Sequence, residues 1–131
     1  MTAFGLLIGL CGMTPDEAAA WLGQPPADVA AWAAAGHPPA EHMARLRDLF
    51  MHLRDGGETA ADAMEAHRTP GGRVVVIAAP ADDVEARDMG FPCLGAWRVS
   101  CGVAVAELDC MVELVPRGAT SKVIHSRPRM H

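Results

Sequence analysis

The chain has 131 residues, half of them hydrophobic, which is enough for one core-forming domain or two small ones and excludes wholesale disorder. No apolar run approaches the roughly 20 residues that span a bilayer, and the first ten residues lack the basic start and cleavage pattern of a secretion signal, so we expect a cytoplasmic protein. The net charge of −5 argues against a non-specific nucleic-acid binder, because such binding rests on Lys and Arg.

The charge is unevenly distributed along the chain. Residues 1–68 hold nine acidic residues against four arginines, whereas residues 69–131 hold seven of each sign. The four cations from Arg117 onward stand in a stretch without any acidic residue. Because apolar density is also lost there, we predict a basic, flexible tail over residues 116–131.

Helical periodicity dominates the first half of the chain. Four apolar residues at helical spacing predict a short helix over residues 3–11: Phe4, Leu7, Ile8 and Cys11. A second helix is predicted from Thr14 to Gly23. Thr14 and Glu17 stand three residues apart, as in a capping box, and Gly23 suits the turn that ends the helix.

Three further helices are predicted before the strongest break in the sequence. An alanine-rich helix covers residues 27–35, and an amphipathic helix covers residues 40–53. The Asp-Gly-Gly run at residues 55–57 is predicted to end that helix, with a fifth helix over residues 58–67. The Thr-Pro-Gly-Gly run at residues 69–72 then marks a linker, so residues 1–68 are predicted to form a five-helix module.

The second half changes period and predicts a small α+β domain over residues 73–115. The β-branched run at residues 73–79 fits a buried strand. Residues 82–89 fit a short helix, and residues 94–99 are predicted as a second strand. Residues 100–115 are ambiguous, since they satisfy both helical and alternating patterns, and we favour a helix followed by a final strand.

Residues 14–32 carry the frame of a helix-turn-helix. Ala19 is small enough for two helices to touch, and Gly23 permits the positive φ of the turn. Val29 and Trp32 lie one helical turn apart and are expected to face inward. An ordinary helical bundle is the alternative, because alanine-rich helices can produce such spacing by chance.

Over residues 1–115 the chain resembles the small two-domain helix-turn-helix repressors of bacteria and phages that include the anti-CRISPR-associated regulators. The resemblance rests on residues 13–23, 29–32, 39–41 and 95–104. It implies a phage-repressor-like N-terminal module followed by an α+β domain that forms a homodimer. It further implies that the dimer binds an inverted-repeat operator in double-stranded DNA and represses its own operon.

The same resemblance implies a dimer interface in the second domain. The expected interface residues are Val74, Val76, Trp97 and Arg98. A strand-borne tryptophan beside an arginine suits an interface, where both residue types are enriched. Burial of Trp97 in the core of a single chain is the alternative.

The outward positions of the second helix in this frame carry no side-chain hydrogen-bond donor, although donors read the base edges of the major groove. These positions are Pro26, Ala27, Ala30, Ala31 and Ala34. The candidate nucleic-acid contacts are Thr14, Gln24, Pro26, Ala27, Ala30, Ala31, His37, His42 and Arg45. The alternative is a helix-turn-helix that no longer binds DNA and instead packs its smooth alanine face against a partner protein.

Other chemistry is not indicated by the sequence. Among the six histidines and four cysteines, His37 and His42 have the spacing of structural zinc ligands, but two prolines separate them. We therefore expect no metal and no other cofactor. No nucleophile elbow and no phosphate-binding glycine loop is found, so an enzyme is not expected. The cysteines are expected to be reduced and mostly buried.

Overall fold

The computed structural model describes residues 1–66 and 74–117, and every structural statement below concerns these residues. They form a mostly helical α+β structure, which confirms the predicted class. Its elements are α1 (Ala3–Leu10), α2 (Pro15–Leu22), α3 (Pro26–Ala34), α4 (Ala40–Ala66), β1 (Val74–Ala79), α5 (Asp83–Asp88), α6 (Leu94–Glu107) and β2 (Met111–Pro116). Within the described ranges, no helix has both the length and the apolar character needed to cross a membrane.

The first three helices form where local sequence signals predict them. The capping box of α2 is present, because the Thr14 side chain accepts a hydrogen bond from the Glu17 N–H while the Glu17 carboxylate accepts from the Thr14 N–H. Gly23 ends α2 in the left-handed conformation, with φ 69° and ψ 35°. Thr2 begins α1 and also donates its hydroxyl to the Trp32 carbonyl at 2.7 Å, which ties α1 to the end of α3.

The predicted helix break at residues 55–57 is wrong, because α4 continues as one helix of 27 residues. The N-terminal part therefore holds four helices in place of the predicted five. Glycine inside a helix costs about 1 kcal/mol relative to alanine, so the local sequence favours a break. A Cβ on Gly57, however, would collide with the Ser100 carbonyl oxygen and the Val103 side chain. Glycine lets α4 and α6 pack closely here, and this packing overrides the local preference.

The predicted strand over residues 94–99 is also wrong, since these residues begin helix α6. Two side chains from outside the segment satisfy the first N–H groups of the helix. The Cys93 sulfur accepts from the Ala96 N–H at 3.4 Å, and the Asp83 carboxylate accepts from the Leu94 N–H at 2.8 Å. The predicted helix over the following residues is confirmed, because α6 runs to Glu107.

The two strands pair in parallel and form one small sheet. Its register runs from Val74 opposite Met111 to Ala79 opposite Pro116, with Ile77 opposite Leu114. The predicted first strand and the predicted final strand both form, but β1 is not a buried strand as predicted, since Ile77 is the one buried residue of its six. Helices α5 and α6 form the connection that a parallel pair requires. The predicted linker at residues 69–72, and residues 118–131 of the tail predicted over residues 116–131, lie outside the described residues. Pro116, the first residue of that predicted tail, belongs instead to β2, where it pairs with Ala79.

The largest apolar core lies among α1 to α4 and extends into the start of α6. Its fully buried large side chains are Phe4, Ile8, Val29, Leu46 and Leu53. Cys93 and Ala96 belong to the same cluster, so residues from both halves of the sequence share one core. Smaller clusters form around Ala61 and Ala104, and around Ile77 and Trp97. The division into two domains stays a prediction.

Two glycines bring the halves of the sequence into backbone contact. Gly12 follows α1 with φ 76°, and a Cβ at this position would fall on the Gly95 backbone. A Cβ on Gly95 would likewise collide with the Gly12 carbonyl oxygen. The Cys93 thiol also donates to that oxygen, at a sulfur-to-oxygen distance of 3.7 Å. No larger residue fits at either glycine without moving the backbone.

We predict that Gly95→Ala lowers the free energy of unfolding by about 2 kcal/mol, because the added methyl group overpacks a backbone contact. Gly9→Ala is the matched control. Gly9 is also helical but has no atom near its missing Cβ, so alanine there is expected to stabilise by about 0.5–1 kcal/mol. Urea denaturation of both variants measures the difference, and equal stability of the two would contradict the contact.

Candidate functional site

Helices α2 and α3 bury two residues of the predicted frame, Ala19 and Val29, while Trp32 is half-buried and Gly23 is exposed. Ala19 is 1% exposed and Val29 is completely buried. Only three residues, 23–25, connect the two helices, and Gly23 provides the left-handed turn. The small Ala19 therefore lies at the inner side of α2, as expected where two helices pack closely.

The outward face of α3 is a smooth surface without hydrogen-bonding side chains. All five predicted outward positions are exposed: Pro26, Ala27, Ala30, Ala31 and Ala34. Within α3 the only charged side chain is Asp28, which is exposed in the first turn. Pro25, which precedes the helix, makes no side-chain capping bond. The surface can thus offer methyl groups, ring carbons and shape to a partner, but no bidentate contact to a base.

Three of the polar candidates lie at loops and helix starts. Thr14 is exposed, but its hydroxyl already accepts the hydrogen bond of the capping box. Gln24 is half-buried in the turn between α2 and α3, directly before the exposed face. His37 is exposed in the connection between α3 and α4. Of these three candidates, Gln24 is therefore the one that lies beside the exposed face of α3.

His42 lies inside the protein, away from the surface where a contact to DNA would require it. It is 6% exposed and stacks on Trp32, with ring centroids 5.5 Å apart. Trp32 in turn meets Phe4 edge to face at 6.0 Å. The Nδ1 atom of His42 is buried without a hydrogen-bond partner among the described residues. This aromatic stack holds α1, α3 and α4 together, which is a structural role.

Arg45 is held against the end of α2. Its guanidinium donates to the carbonyl oxygens of Trp21 and Leu22, each at 3.3 Å, and lies 4.6 Å from the centre of the Trp21 ring. These bonds satisfy carbonyl groups that a helix end leaves unpaired. Sequence reasoning missed this role because the partner carbonyls stand more than twenty residues away.

The electrostatics around the α2–α3 unit are acidic overall. Described residues 1–66 contain nine acidic side chains and three arginines. Asp16, Asp28 and Glu41 are exposed on α2, α3 and the start of α4. Any attraction to phosphate must therefore come from a few local cations, or from residues outside the described ranges.

Of the residues predicted for a dimer interface, Trp97 and Arg98 line one groove, whereas Val74 and Val76 are not among its lining residues. Val74 is 43% exposed at the start of β1, whereas Trp97 is 7% exposed and packs with Ile77 and Ala86 inside the chain. Val76 lines a different, partly open cavity between α4, β1 and α6. Arg98 is exposed and lines an apolar groove of about 320 Å³ beside Leu114.

That groove was not predicted from the sequence. It lies between α6 and β2, and its exposed large apolar side chains are Val105 at 39% and Leu114 at 53%. Met111, on the same strand, is 71% exposed. The alternation of apolar residues in β2 was visible, but only the pairing of β2 with β1 shows which side chains are left uncovered.

The four cysteines are free thiols, and three have raised pKa values. Burial, with a smaller contribution from nearby Cys93, raises the pKa of Cys11 to about 11. Burial also raises the pKa of Cys93 and of Cys101. Among the described residues, no three His, Cys, Asp or Glu side chains are grouped as a metal site would require.

Comparison of the chain with protein-family models, with curated proteins and with solved structures finds no match in any of the three. The resemblance to two-domain repressors therefore stays a prediction, and the case for function rests on the geometry above.

We predict that stability falls as the pH rises from about 9 towards 11. The Cys11 thiol stays neutral in the folded protein up to about pH 11, whereas in the unfolded chain it ionises near the ordinary thiol pKa of 9.0. The stability that the neutral thiol contributes is present in full below pH 9. Urea denaturation at several pH values measures this slope, and a Cys11→Ala variant with an unchanged slope would contradict it.

Proposed function

We propose that this protein is a helix-turn-helix transcriptional regulator that binds an inverted-repeat operator in double-stranded DNA as a homodimer and represses its own operon. The observation that carries the proposal is the α2–α3 unit. Two short helices are joined at Gly23, with Ala19 and Val29 buried and the outer face of α3 uncovered. A recognition helix needs such an exposed face to enter the major groove.

Recognition by this face would rely on shape and methyl contacts. Alanine side chains at Ala27, Ala30 and Ala31 can touch thymine methyl groups. Small side chains also allow the α3 backbone to come close to the DNA. Specificity would then arise from the width of the groove and from the energy needed to deform it, both of which depend on the DNA sequence. Gln24, in the turn directly before α3, adds an amide that can both donate and accept a hydrogen bond. We therefore expect modest specificity that depends on both half-sites of a dimer.

The groove between α6 and β2 supports the dimer. Leu114 and Val105 are exposed apolar side chains within one groove, and exposed apolar surface of this kind marks an interaction site. Arg98 borders the groove, as arginine often does in interfaces. We therefore propose that the dimer interface is centred on Leu114, with the mostly buried Trp97 lining the same groove.

The bare face of α3 favours a second candidate function, a protein-docking module without DNA binding. Asp28 places a negative charge in the first turn of α3, where a phosphate would approach, and the outward positions lack donors. A partner helix could pack closely on the alanine surface. The two candidates differ in how they respond to an added positive charge.

The deciding experiment is an electrophoretic shift with the DNA directly upstream of the protein's own gene, at low salt. We expect a retarded band and protection of an inverted repeat by wild-type protein. Ala30→Glu should weaken binding by at least about tenfold, and Ala30→Arg should strengthen it several-fold, because phosphate attracts the added cation. Ala44→Glu, on an exposed position of α4, is the matched control and should leave binding unchanged.

The outcomes separate the two candidates. If α3 docks on a protein, both substitutions at Ala30 disrupt packing and reduce capture of the partner. An absent band with wild-type protein, or equal weakening of DNA binding by Glu and Arg, would contradict the operator-binding proposal.

We predict that Leu114→Glu raises the dissociation constant of the homodimer by at least about tenfold, because a buried charge opposes an apolar interface. Val84→Glu is the control, since Val84 is 61% exposed on α5 and does not line the groove. Sedimentation equilibrium measures both variants. A monomeric wild-type protein, or a dimer unaffected by Leu114→Glu, would contradict this interface.

A further inference from the structure

A cavity of about 350 Å³ lies between α4, β1 and α6. One wall is a stripe of α4 that repeats every four residues, from His52 through Gly56 to Met64. Trp97 and Ser100 of α6 form a second wall, and Phe91 closes one side. The volume falls in the range of small-molecule sites, about 300–1,000 Å³.

Gly56 is exposed and leaves free space in the lining of this cavity. Its neighbour Gly57 is explained by packing, because a Cβ there would collide with the Ser100 carbonyl. Gly56 has no such requirement: the one neighbour of its missing Cβ is the Ser100 hydroxyl oxygen, at an ordinary 3.7 Å. An alanine would fit and would favour the helix by about 1 kcal/mol. Glycine at this position leaves open a cavity that a larger side chain would fill.

The lining defines the chemistry of a ligand. Phe91 and Trp97 offer aromatic surfaces, and Met64 offers an adaptable thioether. Ser100 is 7% exposed and can both donate and accept a hydrogen bond. Among the described residues that line the cavity, none is Asp, Glu, Lys or Arg. Such a site disfavours ions, because an unpaired charge is costly to bury.

We propose that the cavity binds a neutral aromatic molecule of one or two rings that carries a hydroxyl or N–H group, with Ser100 as its hydrogen-bond partner. The proposal does not depend on DNA binding. The ligand would contact α4 and α6 together, and the N-terminal half of α4 supports the α2–α3 unit through Arg45 and His42.

The probe for the test is 2-naphthol, followed by NMR of methionine methyl groups in the full chain. Met64 and Met89 line the cavity, whereas Met13 and Met43 pack in the N-terminal core. We expect saturable shifts of Met64 and Met89, with little change at Met13 and Met43, at probe concentrations up to about 1 mM. Absence of saturable shifts at Met64 and Met89, or equal shifts at all four methionines, would overturn the proposal.

Two variants define the site further. Gly56→Leu fills the cavity and should weaken 2-naphthol binding by at least about tenfold. Its control, Gly9→Leu, introduces the same change on α1, where the missing Cβ has no neighbour, and should bind like wild type.

Ser100→Ala should weaken 2-naphthol binding several-fold while leaving naphthalene binding unchanged. This serine variant decides the question even if Gly56→Leu does not fold, and equal effects on both probes would exclude Ser100 as the partner.

Discussion

Gly12, just after α1, lies against the backbone of Gly95 in the first turn of α6, and neither position has room for a Cβ. The contact places Cys93 and Ala96 in the core formed by the N-terminal helices. It also brings the Cys93 thiol to the Gly12 carbonyl, while the same sulfur caps α6. The orientation of α6, and with it the positions of the groove and the cavity, follows from this approach of two backbones.

Helix α4 connects the two candidate sites. Near its start, His42 stacks on Trp32 and Arg45 binds the last carbonyls of α2, so the α2–α3 unit is held by this helix. Further along, Gly57 packs on α6 and Gly56 borders the cavity. Helix α4 therefore contacts both the α2–α3 unit and the lining of the cavity.

The exposed face of α3 determines which contacts a partner can make with this helix. It offers methyl groups and a close approach, but the surrounding charge is acidic and Asp28 lies in its first turn. The proposed DNA binding would therefore gain little from general attraction to phosphate. It would depend on fit and on a second copy, so the groove beside Leu114 matters to the DNA-binding proposal as much as α3 itself.

Local signals in the sequence determined the α2–turn–α3 segment, because the Thr14–Glu17 capping box and the left-handed Gly23 act over three or four residues. The β-branched residues of β1 likewise predicted a strand from local sequence alone. The sequence could not show that α4 passes through Gly57, or that residues 94–99 are helical, because the Ser100 backbone, the Asp83 carboxylate and their partners meet only after folding. The buried place of His42, the capping role of Arg45 and both proposed binding surfaces were likewise decided by tertiary contacts, which bring together residues far apart in the chain.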